Sequence, residues 1–377
     1  MNELASNLMD SNVLRFPNYH VGHHRLNVDE RSVFNAKLDL IMNSGVFRNG
    51  TFSEALSGTL VKRTGYKYAI PTDSGTTALA IITAFVNSVR KLKYIAAPSI
   101  TYQATYNAIA RALPNVIYDQ PSLFPNQGRD RKTKRSEYPD DVVVLNRAYA
   151  PAHELSVDFM KEHDAVVTVG LGGKHDTFTS PDIIVIEDCC QDWITKPHTG
   201  NHRAISFDPN KIVTGMSGGG AILTDSQQLA AFASAAIVNG FQIGVGADIV
   251  LSPVFGKHSI TEVDALHVLI MLENVQERLD ARRKVMDLYK QAFPSTLFYE
   301  GEQDHDMSKA LLFLSPKDEN LLVKLNETLA QKNLGQVRHL YESCLKEVHV
   351  WSLPLSERFQ PCPALDELIS TITSGPY

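Results

Sequence analysis

Short unbroken apolar runs alternate with amphipathic stretches along most of the chain. Strands are predicted over residues 66–71, 94–98, 116–119, 142–145, 165–169 and 183–186. The longer runs lack in–out alternation, which suits strands buried on both faces of a mostly parallel sheet. Between them the apolar spacing turns helical. Helices are predicted over residues 33–41 and about 53–63, separated by Ser44-Gly45 and Asn49-Gly50 turns, then over 78–86 and 102–112. Strand–helix alternation of this kind predicts a doubly wound α/β domain.

The pattern changes after about Gly246, dividing the chain into a large α/β domain with an N-terminal arm (1–246) and a smaller α+β domain behind a long linking helix (247–377). Ser259 and Glu262 stand at capping-box spacing, and Val263, Leu266, Leu269, Ile270, Leu272 and Val275 continue at helical period towards Leu288. A strand over 310–314, a helix over 319–331 and a strand over 336–340 complete the smaller domain, while residues 121–140 are polar, charged and proline-containing.

Composition removes several classes of function. The 377 residues are 44% hydrophobic and 21% charged, an ordinary globular balance. A net charge of −6 provides no basic field for nucleic acid, and the cluster from Arg129 to Arg135 is short enough to be a solvated loop. No stretch is apolar enough to span a bilayer, and Met1-Asn2-Glu3-Leu4-Ala5 lacks the basic-then-apolar start of a secretory leader. Cys189, Cys190, Cys344 and Cys362 have neither metal-ligand nor secreted-framework spacing, which points to reduced thiols in a cytoplasmic protein. His20, His23 and His24 lack acidic or thiol partners at ligand spacing, so no metal site is expected there.

The chemistry lies in an ordered set of short motifs. Ser74-Gly75-Thr76 opens the apolar helix, where unpaired backbone amides and the positive dipole end can hold a phosphate. Asp188 ends the apolar strand of Val185-Ile186-Glu187-Asp188, and carboxyl ends of strands face the cleft in open α/β sheets. Ser206 follows a short predicted strand, and Lys211 lies five residues beyond it, ahead of Gly218-Gly219-Gly220. In this order the motifs supply what pyridoxal 5′-phosphate (PLP) needs: an amine for a Schiff base, a phosphate cup and a carboxylate for the ring nitrogen. Each also has an ordinary structural reading, as helix cap, strand-end serine or surface lysine.

The set resembles the sugar aminotransferase (DegT/StrS-type) family of fold-type I PLP-dependent enzymes. The resemblance runs through Gly50-Thr51-Phe52, Asp73 to Leu79, Pro98-Ser99, Asp119, Glu187-Asp188, Gln191, Lys211, the helix start near His258 and Ser352-Leu353-Pro354-Leu355. It implies that Lys211 binds PLP and shuttles protons, that Ser74, Gly75, Thr76 and Ser206 hold its phosphate, and that Asp188 meets the ring nitrogen. It further implies that Gln191 contacts the phenolic oxygen and Tyr102 stacks on the ring. A homodimer with shared active sites is implied too, taking an amino group from a small-molecule donor, glutamate, to a keto sugar nucleotide.

The chain departs from the family pattern in four places, one being that the segment between Val169-Gly170-Leu171-Gly172-Gly173 and the Asp188 strand is too short for the usual helix. Ile212 stands where the family has asparagine, Ser217 where it has glutamate, and Lys257-His258-Ser259 where an Asn-x-Arg element reaches the partner's phosphate. Lys257 supplies a positive charge there without bidentate geometry. Two other readings stay open: PLP chemistry without transamination, as in a dehydratase or decarboxylase, and a catalytically silent PLP-binding protein.

Overall fold

The computed structural model describes residues 26–98, 101–118, 143–148, 163–175, 178–240, 252–292, 306, 310–314, 327, 338–342 and 349–353. Ser99, Asp119, the segment 121–140, Cys344, Cys362 and the helix expected over 319–331, apart from Glu327, lie outside the described residues.

Helix α1 (Val28–Ser44) starts with a capping box: Asn27 accepts the Glu30 amide and Glu30 accepts the Asn27 amide. It ends at Gly45, whose φ of 68° suits glycine. Helix α2 (Thr51–Thr64) leads into strand β1 (Tyr68–Thr72), then helix α3 (Gly75–Arg90), strand β2 (Tyr94–Pro98), helix α4 (Gln103–Ala112) and strand β3 (Val116–Tyr118). Strands β4 (Val143–Ala148), β5 (Ala165–Val169), β6 (Ile184–Asp188), β7 (His202–Ser206) and β8 (Gly220–Thr224) follow, and helix α5 (Gln227–Ala236) closes the run. The strand and helix positions read from the apolar pattern fall within a few residues of these bounds.

The sheet order is β1-β8-β7-β6-β5-β2-β4-β3. Every pairing is parallel except those of β8, which runs antiparallel to both β1 and β7. Successive strand residues feed opposite faces. Ala204 and Ile222 join the apolar residues of α3, α4 and α5, whereas Ile205, Ala221 and Leu223 join those of α2 and the helix that begins at Glu262. Both sheet faces are therefore covered, which is why these strands read as unbroken apolar runs. A separate three-stranded antiparallel sheet has the order β10 (Arg338–Glu342), β11 (His349–Leu353), β9 (Ala310–Leu314).

The helix expected from a Ser259 cap towards Leu288 differs in two respects. Ser259 forms a β-bridge with Thr72, so its backbone is extended, and Thr261 caps α6 (Glu262–Glu273) by accepting the Asp264 amide. The run then breaks at Asn274 (φ −111°, ψ 23°) before α7 (Val275–Ala292). The Asn274 amide donates to Glu30, which also takes both bonds at 2.9 Å from Arg278. Burial pushes the Glu30 carboxyl up, but the Asn27 amide, Asn274 and Arg278 together hold it below its ordinary value.

Glu262 is not a box partner for Ser259. The cap of α2 is Gly50, which has no side chain to offer the helix amides. The Glu262 carboxylate replaces it, accepting the amides of Gly50, Phe52 and Ser53 at 3.0, 2.7 and 3.0 Å. One buried carboxylate thus joins the starts of two helices. Glu262→Ala is expected to cost about 3 kcal/mol in chemical denaturation and Glu262→Gln about 1 kcal/mol, because the amide keeps one acceptor. Equal, negligible losses in both variants would show that water replaces this cap.

Candidate active site

Strand register brings the candidate residues to one edge. Gly220, the first residue of antiparallel β8, pairs with Thr72 at the carboxyl end of β1 and with Ser206 at the carboxyl end of β7. Asp188, ending β6, pairs with Ala204. Two residues past β1, Ser74 caps α3 and accepts the Thr77 amide at 3.1 Å. Its hydroxyl therefore acts first as a helix cap, and the amides of Gly75 and Thr76 precede the one it takes.

Gly75 is glycine because nothing larger fits. A Cβ there would lie 2.7 Å from the Cys190 sulfur and 2.8 Å from the Ser206 Cβ. A Cβ on Gly220 would come within 2.5 Å of the Gly75 nitrogen. The helix start is thus pressed into the sheet edge beside the Ser206 hydroxyl, which accepts the Asp208 amide at 3.2 Å.

Lys211 ends a tight turn in which its amide donates to the Asp208 carbonyl at 2.9 Å. Ile212 and Val213 plunge into the core, leaving Lys211 half-buried. Packing explains why an apolar residue follows the lysine. The loop closes through Gly215 N–H to Phe207 O and Phe207 N–H to Gly219 O, with Gly218 and Gly219 at φ 135° and 140°. Burial pushes the Cys190 thiol well above its ordinary range and Asp188 adds to this, while Lys211 acts against it. The lysine charge is therefore felt at the same thiol that touches Gly75.

Asp188 is buried. Its Oδ2 accepts the Thr105 hydroxyl at 2.7 Å and its Oδ1 the Cys190 amide at 3.3 Å. Thr105 is a residue that sequence reading missed; the only signal was a threonine on the inward face of α4. Tyr102 caps that helix and is 59% exposed, a large aromatic left in the open at the sheet edge. Gln191 is buried and accepts the Gly172 amide at 2.9 Å. Gly172 belongs to a single 3-10 turn (Leu171–Gly173) that follows β5.

The departures at residues 217 and 257–259 have structural answers. Ser217 gives its amide and hydroxyl to Asp264 of α6, at 2.8 Å and 2.9 Å, so a carboxylate does face this loop, carried by the helix rather than by residue 217. Lys257 is exposed and bridges Val238, and the Arg48 guanidinium donates to the Ser259 carbonyl. His258 lies between Asp73, 2.7 Å from its Nδ1, and Arg111, 2.7 Å from its Nε2. Arg111 is a donor only, so the imidazole accepts from it and donates to Asp73. Sequence reading missed this chain, which ties the residue ahead of Ser74 to the end of α4.

Behind Asp188, strand alternation sends Glu187 to the other face. There it meets Arg203 at 2.9 Å and Lys196 at 3.2 Å, and Lys196 meets Asp192 at 3.3 Å. Burial pushes the Asp192 carboxyl up, but Lys196, His175 and Arg203 together hold it below its ordinary value. Asp306 accepts the amides of Ile194 and Thr195 at 2.6 and 2.7 Å, pinning the loop that follows Gln191. Burial nevertheless pushes its carboxyl up to about 6.

These residues fit PLP. The Gly75–Thr76 amides and the Ser206 hydroxyl are donors for a phosphate, Lys211 is an amine, and Asp188 is a carboxylate held by two donors. A mixed sheet with one antiparallel strand and helices on both faces is fold type I of the PLP-dependent enzymes. The DegT/DnrJ/EryC1/StrS aminotransferase family model matches residues 28–118 and 165–374. The chain belongs to that family, whose cofactor is PLP.

Solved structures agree on the fold at low identity. A DegT DnrJ EryC1 StrS aminotransferase from Brucella abortus is 16% identical with a TM-score of 0.70, over 91% of this chain and 95% of that one. NtdA from Bacillus subtilis with bound cofactor PMP is 19% identical with a TM-score of 0.68, over 92% and 83%. Escherichia coli GDP-4-keto-6-deoxy-D-mannose-3-dehydratase with bound hydrated PLP is 15% identical with a TM-score of 0.71, over 94% and 99%. Comparison with curated protein sequences gave no match. Among the described residues no helix is long and apolar enough to cross a membrane.

The raised Asp306 value has a measurable sign. A carboxyl whose folded value exceeds its unfolded one contributes stability that is full below about 4 and lost as pH rises through about 6. Asp192 and Glu30 act in the opposite direction, so the informative quantity is the difference between wild type and Asp306→Asn. Denaturation from pH 4 to pH 7 is expected to show wild type losing up to about 3 kcal/mol relative to the variant. Parallel curves would contradict the assignment.

Proposed function

We propose that this chain catalyses PLP-dependent amino transfer from glutamate to a keto sugar carried on a nucleotide. The observation that carries the reading is the convergence of the Gly75 helix start, Ser206, Lys211 and Asp188 on one carboxyl edge of the sheet. In this reading Ser74, Gly75, Thr76 and Ser206 bind the phosphate, with the α3 dipole favouring its charge. Asp188 holds a proton on the ring nitrogen, Gln191 meets the phenolic oxygen and Tyr102 covers one ring face. Bound PLP supplies an electron sink for the carbanion at the donor's Cα. Lys211 would supply the amine that attaches the cofactor and, when free of it, the base that moves a proton at the donor Cα. Free thiols at Cys189 and Cys190 agree with a cytoplasmic location.

PLP followed by borohydride should label the Lys211 peptide in wild type and leave Lys211→Ala unlabelled by mass spectrometry. Equal labelling of Lys211→Ala would defeat the assignment. Glutamate added to the PLP form should yield 2-oxoglutarate in about one equivalent per site without any acceptor.

A second reading is dehydration of a sugar nucleotide without net amino transfer. It is favoured by the likeness to the E. coli 3-dehydratase and by the unusual residues Ile212, Ser217 and Ser259. The glutamate experiment tests the donor half of the reaction, and the sugar product separates the two readings. Release of an aminated sugar nucleotide as the final product supports transfer, and a deoxygenated keto product supports dehydration.

The reading includes a homodimer in which Lys257 faces the partner's phosphate. Lys257→Ala should then weaken PLP binding several-fold, and wild-type affinity should fall with added salt. A stable monomer with full PLP occupancy in sedimentation would rule out the shared site.

A further inference from the structure

We propose that Thr105, backed by Thr101, is a positioning residue for Asp188, and that this hydroxyl pair fixes the carboxylate against the cofactor's ring nitrogen. The inference rests on the reading of Asp188 given above. Thr101 is 6% exposed, Thr105 1% and Asp188 7%, so all three polar groups lie away from water. The Thr101 and Thr105 hydroxyls are 2.9 Å apart, and Thr105 donates to Asp188 Oδ2 at 2.7 Å. Thr105 has one hydroxyl proton, and Asp188 takes it, so Thr101 must donate to Thr105. The chain of donors runs one way: Thr101 to Thr105 to Asp188. A hydroxyl that accepts one bond donates the next more strongly, so the second threonine reinforces the first.

The geometry gives this pair a task beyond satisfying buried polarity. Asp188 ends its strand, and rotation of its carboxylate would swing an oxygen away from the sheet edge. Its other bonds come from one neighbour, Cys190, whose amide donates the longer bond to Oδ1 and whose thiol also meets the carboxylate. The short Thr105 bond on Oδ2 therefore sets the plane of the group. The Thr105 amide also donates to the Tyr102 carbonyl at 2.9 Å, so one helical turn carries both the aromatic offered to the ring face and the hydroxyl that orients the ring-nitrogen carboxylate. A buried threonine on an inward helix face could otherwise be replaced by valine with little consequence for the edge of the sheet.

Thr105→Val, Thr105→Ser and Asp188→Asn separate these roles, each titrated with PLP and scanned for visible absorption against pH. Thr105→Val should weaken PLP about tenfold, shift the pH dependence of the bound chromophore and lower kcat more than it changes KM for the donor. Thr105→Ser should restore all three, since it returns the hydroxyl without the methyl. Unchanged affinity and spectrum in Thr105→Val, with both altered in Asp188→Asn, would overturn the positioning role alone. If Asp188→Asn is also unchanged, the underlying reading of Asp188 fails and the proposal with it. Should Thr105→Val not fold, Thr101→Val decides: a loss of PLP affinity of about threefold supports the relay, and wild-type affinity overturns it.

Discussion

The arrangement depends on a contact between two glycines. Gly220 at the start of β8 lies so close to the Gly75 nitrogen at the start of α3 that it has no room for a Cβ, and a Cβ on Gly75 would in turn run into Cys190 and Ser206. That contact sets how deeply the helix start sits in the sheet edge, and hence how near its amides come to Ser206 and the Lys211 loop. The reversed direction of β8 makes it possible. Because β8 runs antiparallel, its amino end, carrying Gly218-Gly219-Gly220, arrives at the edge where β1, β6 and β7 end. A parallel strand would present its carboxyl end there and send the glycine run to the far side.

Around this contact, buried polar groups act as fasteners between segments distant in sequence. Glu262 joins α2 to α6, Asp264 holds the loop that follows Lys211, and His258 links Asp73 to Arg111. Asp306 pins the segment after Gln191 from more than a hundred residues away. Such groups are costly to bury singly and stable only when fully paired, so they specify one arrangement of the loops at the site. The Glu187–Arg203–Lys196–Asp192 network does the same on the opposite face, directly behind Asp188.

Much of the large sheet was legible in the sequence, since strands covered on both faces must be continuously apolar and their helices carry the complementary stripe. Ser74 as cap and Asp188 as strand end were legible for the same local reasons. The start of α6 was not, because Ser259 with Glu262 is the better capping-box match, and only the bridge from Thr72, which claims Ser259, leaves Thr261 as the cap. The break at Asn274 depends on Glu30, more than two hundred residues earlier. Thr105 and Asp264 were invisible because a hydroxyl or carboxylate on a helix gains its partner only when that helix packs against a particular loop. Local chemistry marks the ends of elements, whereas the tertiary contacts that orient the site have no local signal.

The central claim is that the edge formed by Gly75, Asp188, Ser206 and Lys211 is the cofactor site. A crystal structure of the full chain grown with PLP tests it most directly. The account predicts phosphate density between the Gly75 and Thr76 amides and the Ser206 hydroxyl, ring density over Asp188, and continuous density from the cofactor to the Lys211 Nζ. Cofactor density at another edge of the sheet, or joined to a different lysine, would contradict it.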